Sequence, residues 1–190
     1  MKNNKNLKVV NMLGGPGCRK STTALLVAGL MKANKLNVEY VNEYPKDLVY
    51  ENRPDMFAEQ DYIFAQQNKR LRRLVKSKVE WAITDTSLLL SLFYRPQNFY
   101  ENDSFDSFVR SVYSTYTNIN ILLSRPDNYV QFGRNETEEQ AKQIDKNIVD
   151  FLNKNYIQYF SFESYDPLKT AEKIVKLITS VDWCNSCTHD

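Results

Sequence analysis

Residues 7–22 read LKVVNMLGGPGCRKST. Leu7 to Leu13 is a short apolar run that stops at glycine, and the following segment, Ser21 to Lys35, is a long apolar stretch closed by Asn34 and Lys35. That order describes a strand, a tight loop and a helix. The chain has only five glycines, and three of them, Gly14, Gly15 and Gly17, fall within four positions of this loop. Clustered glycines let successive backbone N–H groups curl around an anion, and the N-terminus of the next helix adds its positive end. Lys20 is then placed to reach the β- and γ-phosphates of a nucleotide, and the Ser21 hydroxyl to ligate Mg²⁺.

The spacing is that of a Walker A loop, G-x-x-x-x-G-K-[ST], with one departure: Arg19 stands where the second glycine is expected. A side chain at a position needing positive φ carries strain, and this one also sets a charge beside the phosphates. The departure leaves open a working variant loop, an engineered substitution and a loop with weakened nucleotide binding. On this reading Gly15, Pro16, Gly17, Cys18, Arg19, Lys20, Ser21 and Thr22 hold ATP. Cys18 is either a thiol with a pKa lowered by its surroundings or a small filler.

Composition narrows the chemistry. A length of 190 residues suits one domain, over residues 1–180, with 181–190 as a flexible tail. Lys plus Arg number 25 against 23 Asp plus Glu, so a net charge of +2 excludes binding by bulk polybasic attraction. The sole histidine is His189, which removes a Ser-His-Asp triad or a multi-histidine metal site from the body of the chain. With Cys184 and Cys187 it makes a weak C-x-x-C zinc signal in the tail. Three cysteines do not make a disulfide framework, and no apolar run is long enough to span a bilayer. The expected setting is soluble, reducing and cytoplasmic.

Working outward, Val38–Val41 is a second strand, and Asn42 to Pro54 reads as a loop with about one helical turn. Phe57, Gln60, Ile63, Phe64, Gln67, Leu71 and Leu74 mark one face of a helix between Met56 and Lys78. Trp81–Asp85 is a third strand ending in a carboxylate, and Arg95 to Ser107 reads as an excursion before a helix from Phe108 to Tyr116. Ile119–Leu123 is the fourth strand. After a loop through Gly133, Thr137 to Gln140 forms a capping box for a helix carrying Ala141, Ile144, Ile148 and Phe151. Ile157–Phe162 is the fifth strand, and Asp166-Pro167 opens a last helix buried through Ala171, Ile174, Val175 and Ile178. Strands alternating with helices give a three-layer α/β fold with a mainly parallel sheet of about five strands.

From about Lys8 to Ile178 the chain resembles the small P-loop kinases, in particular the NadR-like AAA kinases frequent in bacteriophage genomes. The resemblance rests on the glycine loop, on Val41-Asn42-Glu43-Tyr44-Pro45-Lys46-Asp47, on Ile83-Thr84-Asp85-Thr86-Ser87, and on Gly133-Arg134-Asn135-Glu136-Thr137. It implies transfer of the γ-phosphoryl group of ATP, with Mg²⁺, to a hydroxyl lying across the carboxyl ends of the strands. Asp85 takes the Walker B place, as metal ligand or base; the plainer alternative is a cap on the helix at Ser87. Glu43, at the tip of strand two, is either a second base candidate that faces the acceptor with Lys46 or a solvated loop carboxylate. Arg125 and Arg134, the latter the stronger candidate, bracket a lid-like segment near 125–140, where arginines stabilise transferring charge; ordinary surface salt bridges are the plainer alternative for either. Gln60 and Gln67, with Phe64 between them, are placed to bond and stack a base or sugar, or to interrupt the edge of a core stripe.

Lys69 to Lys78 contains six cations and no acid, which is a solvated helix face or a patch for a polynucleotide. The functions in view are a phosphotransferase acting on a nucleoside, nucleotide or related small molecule, a kinase acting on a 5′-OH or hydroxymethylated base of DNA, and a nucleotide-binding regulatory NTPase.

Overall fold

The computed structural model describes residues 6–97, 99–100, 102–126 and 137–180. Five strands, β1 (Lys8–Leu13), β2 (Val38–Val41), β3 (Trp81–Thr84), β4 (Thr117–Ser124) and β5 (Phe160–Glu163), form one sheet in the order β2-β3-β1-β4-β5. Every neighbouring pair is parallel. The helices are α1 (Lys20–Ala33), α2 (Pro45–Tyr50), α3 (Gln60–Lys76), α4 (Leu90–Tyr94), α5 (Ser104–Tyr113), α6 (Glu138–Lys154) and α7 (Pro167–Ser180).

Alternation along the strands explains the three layers. Val10 and Met12 of β1, Ile83 of β3 and Ile119, Ile121 and Leu123 of β4 point to one face, where Ala24, Val27 and Met31 of α1 and Ala171, Ile174 and Ile178 of α7 cover them. Val9, Ala82 and Val41 point the other way, toward Phe64 and Leu71 of α3 and Phe105 and Val109 of α5. Leu13 meets Ile148 and Leu152 of α6 on that second side. Each fully buried aliphatic side chain contributes roughly 1.5–3 kcal/mol relative to exposure. The polar breaks in this pattern are satisfied: the Asn11 amide donates to Asn118 Oδ1 and Asn120 Oδ1, each at 3.1 Å, and the Asn120 amide donates to the Tyr113 hydroxyl at 2.9 Å.

Several boundaries differ from expectation. The segment after β2 holds a full short helix, α2, with Pro45 in its first turn, and then a 3₁₀ turn over Pro54–Ala58. That turn takes up Met56 and Phe57, so α3 begins only at Gln60. α5 starts at Ser104 rather than Phe108 because Asn102 Oδ1 accepts the Ser104 N–H at 2.9 Å and Phe105 is buried. β5 is an edge strand of four residues, and Ile157 packs between the second and third core clusters instead of extending it. The capping box at Thr137 is present with both of its bonds. Among the described residues, no helix is long and apolar enough to cross a membrane.

Candidate functional site

The site lies at the carboxyl ends of β1, β2 and β3, where parallel strands open into loops. The glycine loop leaves β1 with Gly14 at φ 137° and Gly17 at φ 90°, both left-handed. A Cβ on Gly14 would lie 2.9 Å from the Leu123 carbonyl oxygen, so that position admits only glycine. Arg19 sits at φ 55°, ψ 27°, the left-handed conformation that the motif assigns to glycine, immediately before α1. For a residue with a Cβ this costs about 1–2 kcal/mol. Its guanidinium turns toward the β5–α7 loop, donating to the Tyr165 carbonyl at 2.7 Å. Lys20 donates to the Gly15 carbonyl at 2.9 Å, folding its side chain back over the loop. Ser21 is partly exposed and Thr22 exposed at the start of α1.

Cys18 is fully buried, and its thiol donates to Asp145 Oδ1 at 3.3 Å. Burial and then the Asp145 charge push its pKa up to about 11, so it is a neutral filler and not an activated thiol.

Asp85 follows β3 and has no solvent exposure. Its carboxylate caps no helix: it accepts the Tyr40 hydroxyl at 2.8 Å and the Glu43 N–H at 2.7 Å, tying the tip of β3 to that of β2. Ser87 Oγ instead accepts the Leu89 N–H at 3.3 Å ahead of α4. Burial, then the Asp85 charge, raises the Tyr40 pKa. Glu43 is brought beside Asp85 and within the field of Lys20 and Lys46. Its pKa is raised mainly by burial; Asp85 acts in the same direction, and the two lysines oppose it. Two carboxylates in unlike environments next to a lysine are the components of proton transfer and charge stabilisation.

The loop carrying Glu43 is held from α3. Gln67 Oε1 accepts the Tyr44 N–H at 2.9 Å, and its amide faces the Asn42 carbonyl at 3.4 Å. Arg70 donates to Asn42 Oδ1 at 2.6 Å, ion-pairs with Asp47, and lies 5.3 Å from the Tyr44 ring centroid. Gln67 is thus committed to the loop. Gln60 is buried and donates to the Phe57 carbonyl at 2.8 Å, and Phe64 is packed edge-on against Phe105 and Phe108. Arg70 accordingly leaves the basic run as a positioning residue.

The sequence reading missed Asp145 on α6. Its Oδ1 accepts the Gly15 N–H at 2.7 Å, and its Oδ2 accepts Arg125 Nε at 2.7 Å. The Arg125 side chain is 8% exposed. Asp145 therefore ties Arg125, the residue after β4, to the glycine loop. Arg134, Gly133 and the Cys184, Cys187 and His189 tail lie outside the described residues. The only foresight of Asp145 available in the sequence is its place one turn past Ala141 on a helix whose cap was already legible.

Residues 9–166 match the family model described as an AAA domain. No curated protein matches the chain. A crystal structure of NadR protein in complex with NR superposes with a TM-score of 0.69 at 15% identity, over 94% of this chain and 53% of that one. The chain thus spans about half the length of that NadR protein. A thymidylate kinase from Ehrlichia chaffeensis superposes with a TM-score of 0.58 at 14% identity, over 92% of this chain and 98% of the other. At these identities the two structures establish a shared P-loop kinase fold, a parallel five-stranded sheet between helices.

Proposed function

The chain belongs to the AAA domain family, and from that membership and the geometry at the strand ends we propose that it is an ATP-dependent phosphotransferase. It moves the γ-phosphoryl group to a hydroxyl of a nucleoside, a nucleotide or a related small molecule. The observation that carries this reading is the bond from the Glu43 N–H to Asp85 at the ends of β2 and β3, with the Glu43 carboxyl in the electrostatic field of Lys20. A nucleotide-binding switch needs the loop; it has no use for a second carboxylate, the half-buried Glu43, set beside the buried Asp85.

The residues divide by role. Gly14 and Gly17, in left-handed conformations, and the start of α1 form the cradle that a triphosphate fits. Lys20 lies where charge builds on the transferring group. Ser21 and Asp85 are the oxygen donors that would hold Mg²⁺ there. When bound, that ion neutralises phosphate charge. Glu43, with its raised pKa, takes the acceptor hydroxyl's proton, and Lys46 adds positive charge beside it. Arg125, fixed by Asp145, roots the segment whose Arg134 supplies charge to the phosphates.

ADP release measured with ATP and Mg²⁺ against a panel of free nucleosides and nucleotides, then unmodified and hydroxymethylated DNA, tests this directly. Acceptor-dependent release that is lost in Lys20→Ala is expected. Release unchanged by every acceptor would favour the switch, and release driven only by DNA would favour the polynucleotide kinase.

A further inference from the structure

A groove of about 530 Å³ lies between α3 and α5, lined from α3 by residues 61 to 72. Its wall is aromatic: Phe64 and Phe105 lie at its base, and Phe108 and Tyr100 are 56% and 46% exposed beside it. Exposed rings gathered in one groove are costly in water unless something covers them. Lys69 and Arg72 line the same groove from α3.

Those two cations belong to a longer stripe. Lys69, Arg72, Arg73 and Lys76 recur at spacings of three, four and seven, so they share one helical face, and all four are exposed. Among the described residues none of the four has an ion-pair partner. The one carboxylate lining the groove, Asp61, accepts the Tyr100 hydroxyl at 2.7 Å at the far end. The stripe covers about 10 Å at 1.5 Å per residue. It leads toward Trp81, where β3 begins, whereas Asp85 lies past the other end of that strand. A small acceptor at the strand ends has no use for charge in that direction; a polymer does.

We propose that this groove binds a single-stranded polynucleotide, its bases stacking on Phe108 and Tyr100 and its phosphates neutralised along Lys69 to Lys76. Rings beside a cationic track are what unpaired strands require, because each base offers a π-face and each linkage a negative charge. A duplex hides its base faces, and an acidic peptide would use the cations while leaving the rings uncovered.

The test is fluorescence anisotropy of a labelled twelve-residue oligothymidylate, without ATP, so that its outcome is independent of the phosphotransferase reading. Three neutralised phosphates give a log-log salt slope of about −2, a loss of roughly fifteen-fold in affinity between about 50 and about 200 mM salt. Replacing Lys69, Arg72, Arg73 and Lys76 together by Gln should flatten that slope. Phe108→Ala should weaken binding by about 5- to 100-fold with the slope kept and ATP turnover on a free acceptor unchanged. It also serves as the second variant should the fourfold one fail to fold. No binding at low salt would overturn the proposal. So would binding that ignores Phe108→Ala and is displaced equally by polyglutamate, since the stripe would then be an acidic-polymer surface.

Discussion

One carboxylate of Asp145 joins two distant parts of the chain, its Oδ1 accepting the Gly15 N–H and its Oδ2 accepting Arg125 Nε, each at 2.7 Å. The glycine loop and the end of β4 are therefore tied through α6. Asp145→Ala removes both bonds and the acceptor of the Cys18 thiol, and takes the carboxylate from an almost buried guanidinium, so a loss of about 1–3 kcal/mol is expected, below the fully buried range because Asp145 is partly exposed. Asp145→Asn keeps one acceptor oxygen in place of two and should lie between. Urea titration of the three proteins measures this, and equal midpoints would remove Asp145 from any such role.

Arg19 combines a strained backbone with a useful side chain. Glycine there relieves the left-handed conformation but loses the bond to the Tyr165 carbonyl, whereas alanine keeps the strain and loses the bond as well. Arg19→Gly should therefore be more stable than Arg19→Ala by about 1–2 kcal/mol. Thermal melts of the pair decide it, and an alanine variant as stable as the glycine one would mean that the position tolerates any residue.

Such relationships mark the limit of what the sequence discloses. The strand-loop-helix at residues 7–22, the parallel sheet and the Thr137 cap were legible because each is local, set by periodicity, glycine spacing or a four-residue box. α2 was hidden because Pro45 reads equally as a loop breaker and as a first-turn residue. The partners of Asp85, Arg70 and Asp145 were not legible, because each is fixed by contacts 20 to 130 residues apart that only the packed sheet creates. Gln67 shows the ambiguity most plainly: a glutamine on an apolar helix face signals that something polar is met there, and here that something is the protein's own Tyr44 amide.

Glu43 makes stability depend on pH with a definite sign. Its carboxyl in the folded chain titrates above the ordinary 4.5, chiefly through burial, so the folded state holds its proton longer than the unfolded state does. The contribution is fully present below about 4.5 and is lost as pH rises through the folded value. Glu43→Gln lacks this loss, so its stability relative to the parent should increase as pH rises from 4 to 7, as checked by denaturant titration across that range. A difference that is flat with pH would show that Glu43 ionises freely.

The structural role of Asp85 and the chemical one proposed for it are separated by two substitutions. Tyr40→Phe deletes one hydrogen bond and leaves the charge; Asp85→Asn removes the charge while its amide oxygen still accepts the Glu43 N–H and its NH₂ donates to a Tyr40 hydroxyl that turns to accept. If the negative charge serves the reaction, as metal ligand or proton acceptor, Asp85→Asn should lower turnover by at least ~10²-fold at near-normal stability, with a much smaller change in ATP affinity. Tyr40→Phe should cost about 0.5–1.5 kcal/mol of stability and little turnover. Single-turnover ADP formation and thermal melts on both variants separate the cases. Equal, small losses would make Asp85 a strand tether alone and leave Glu43 as the carboxylate of the reaction.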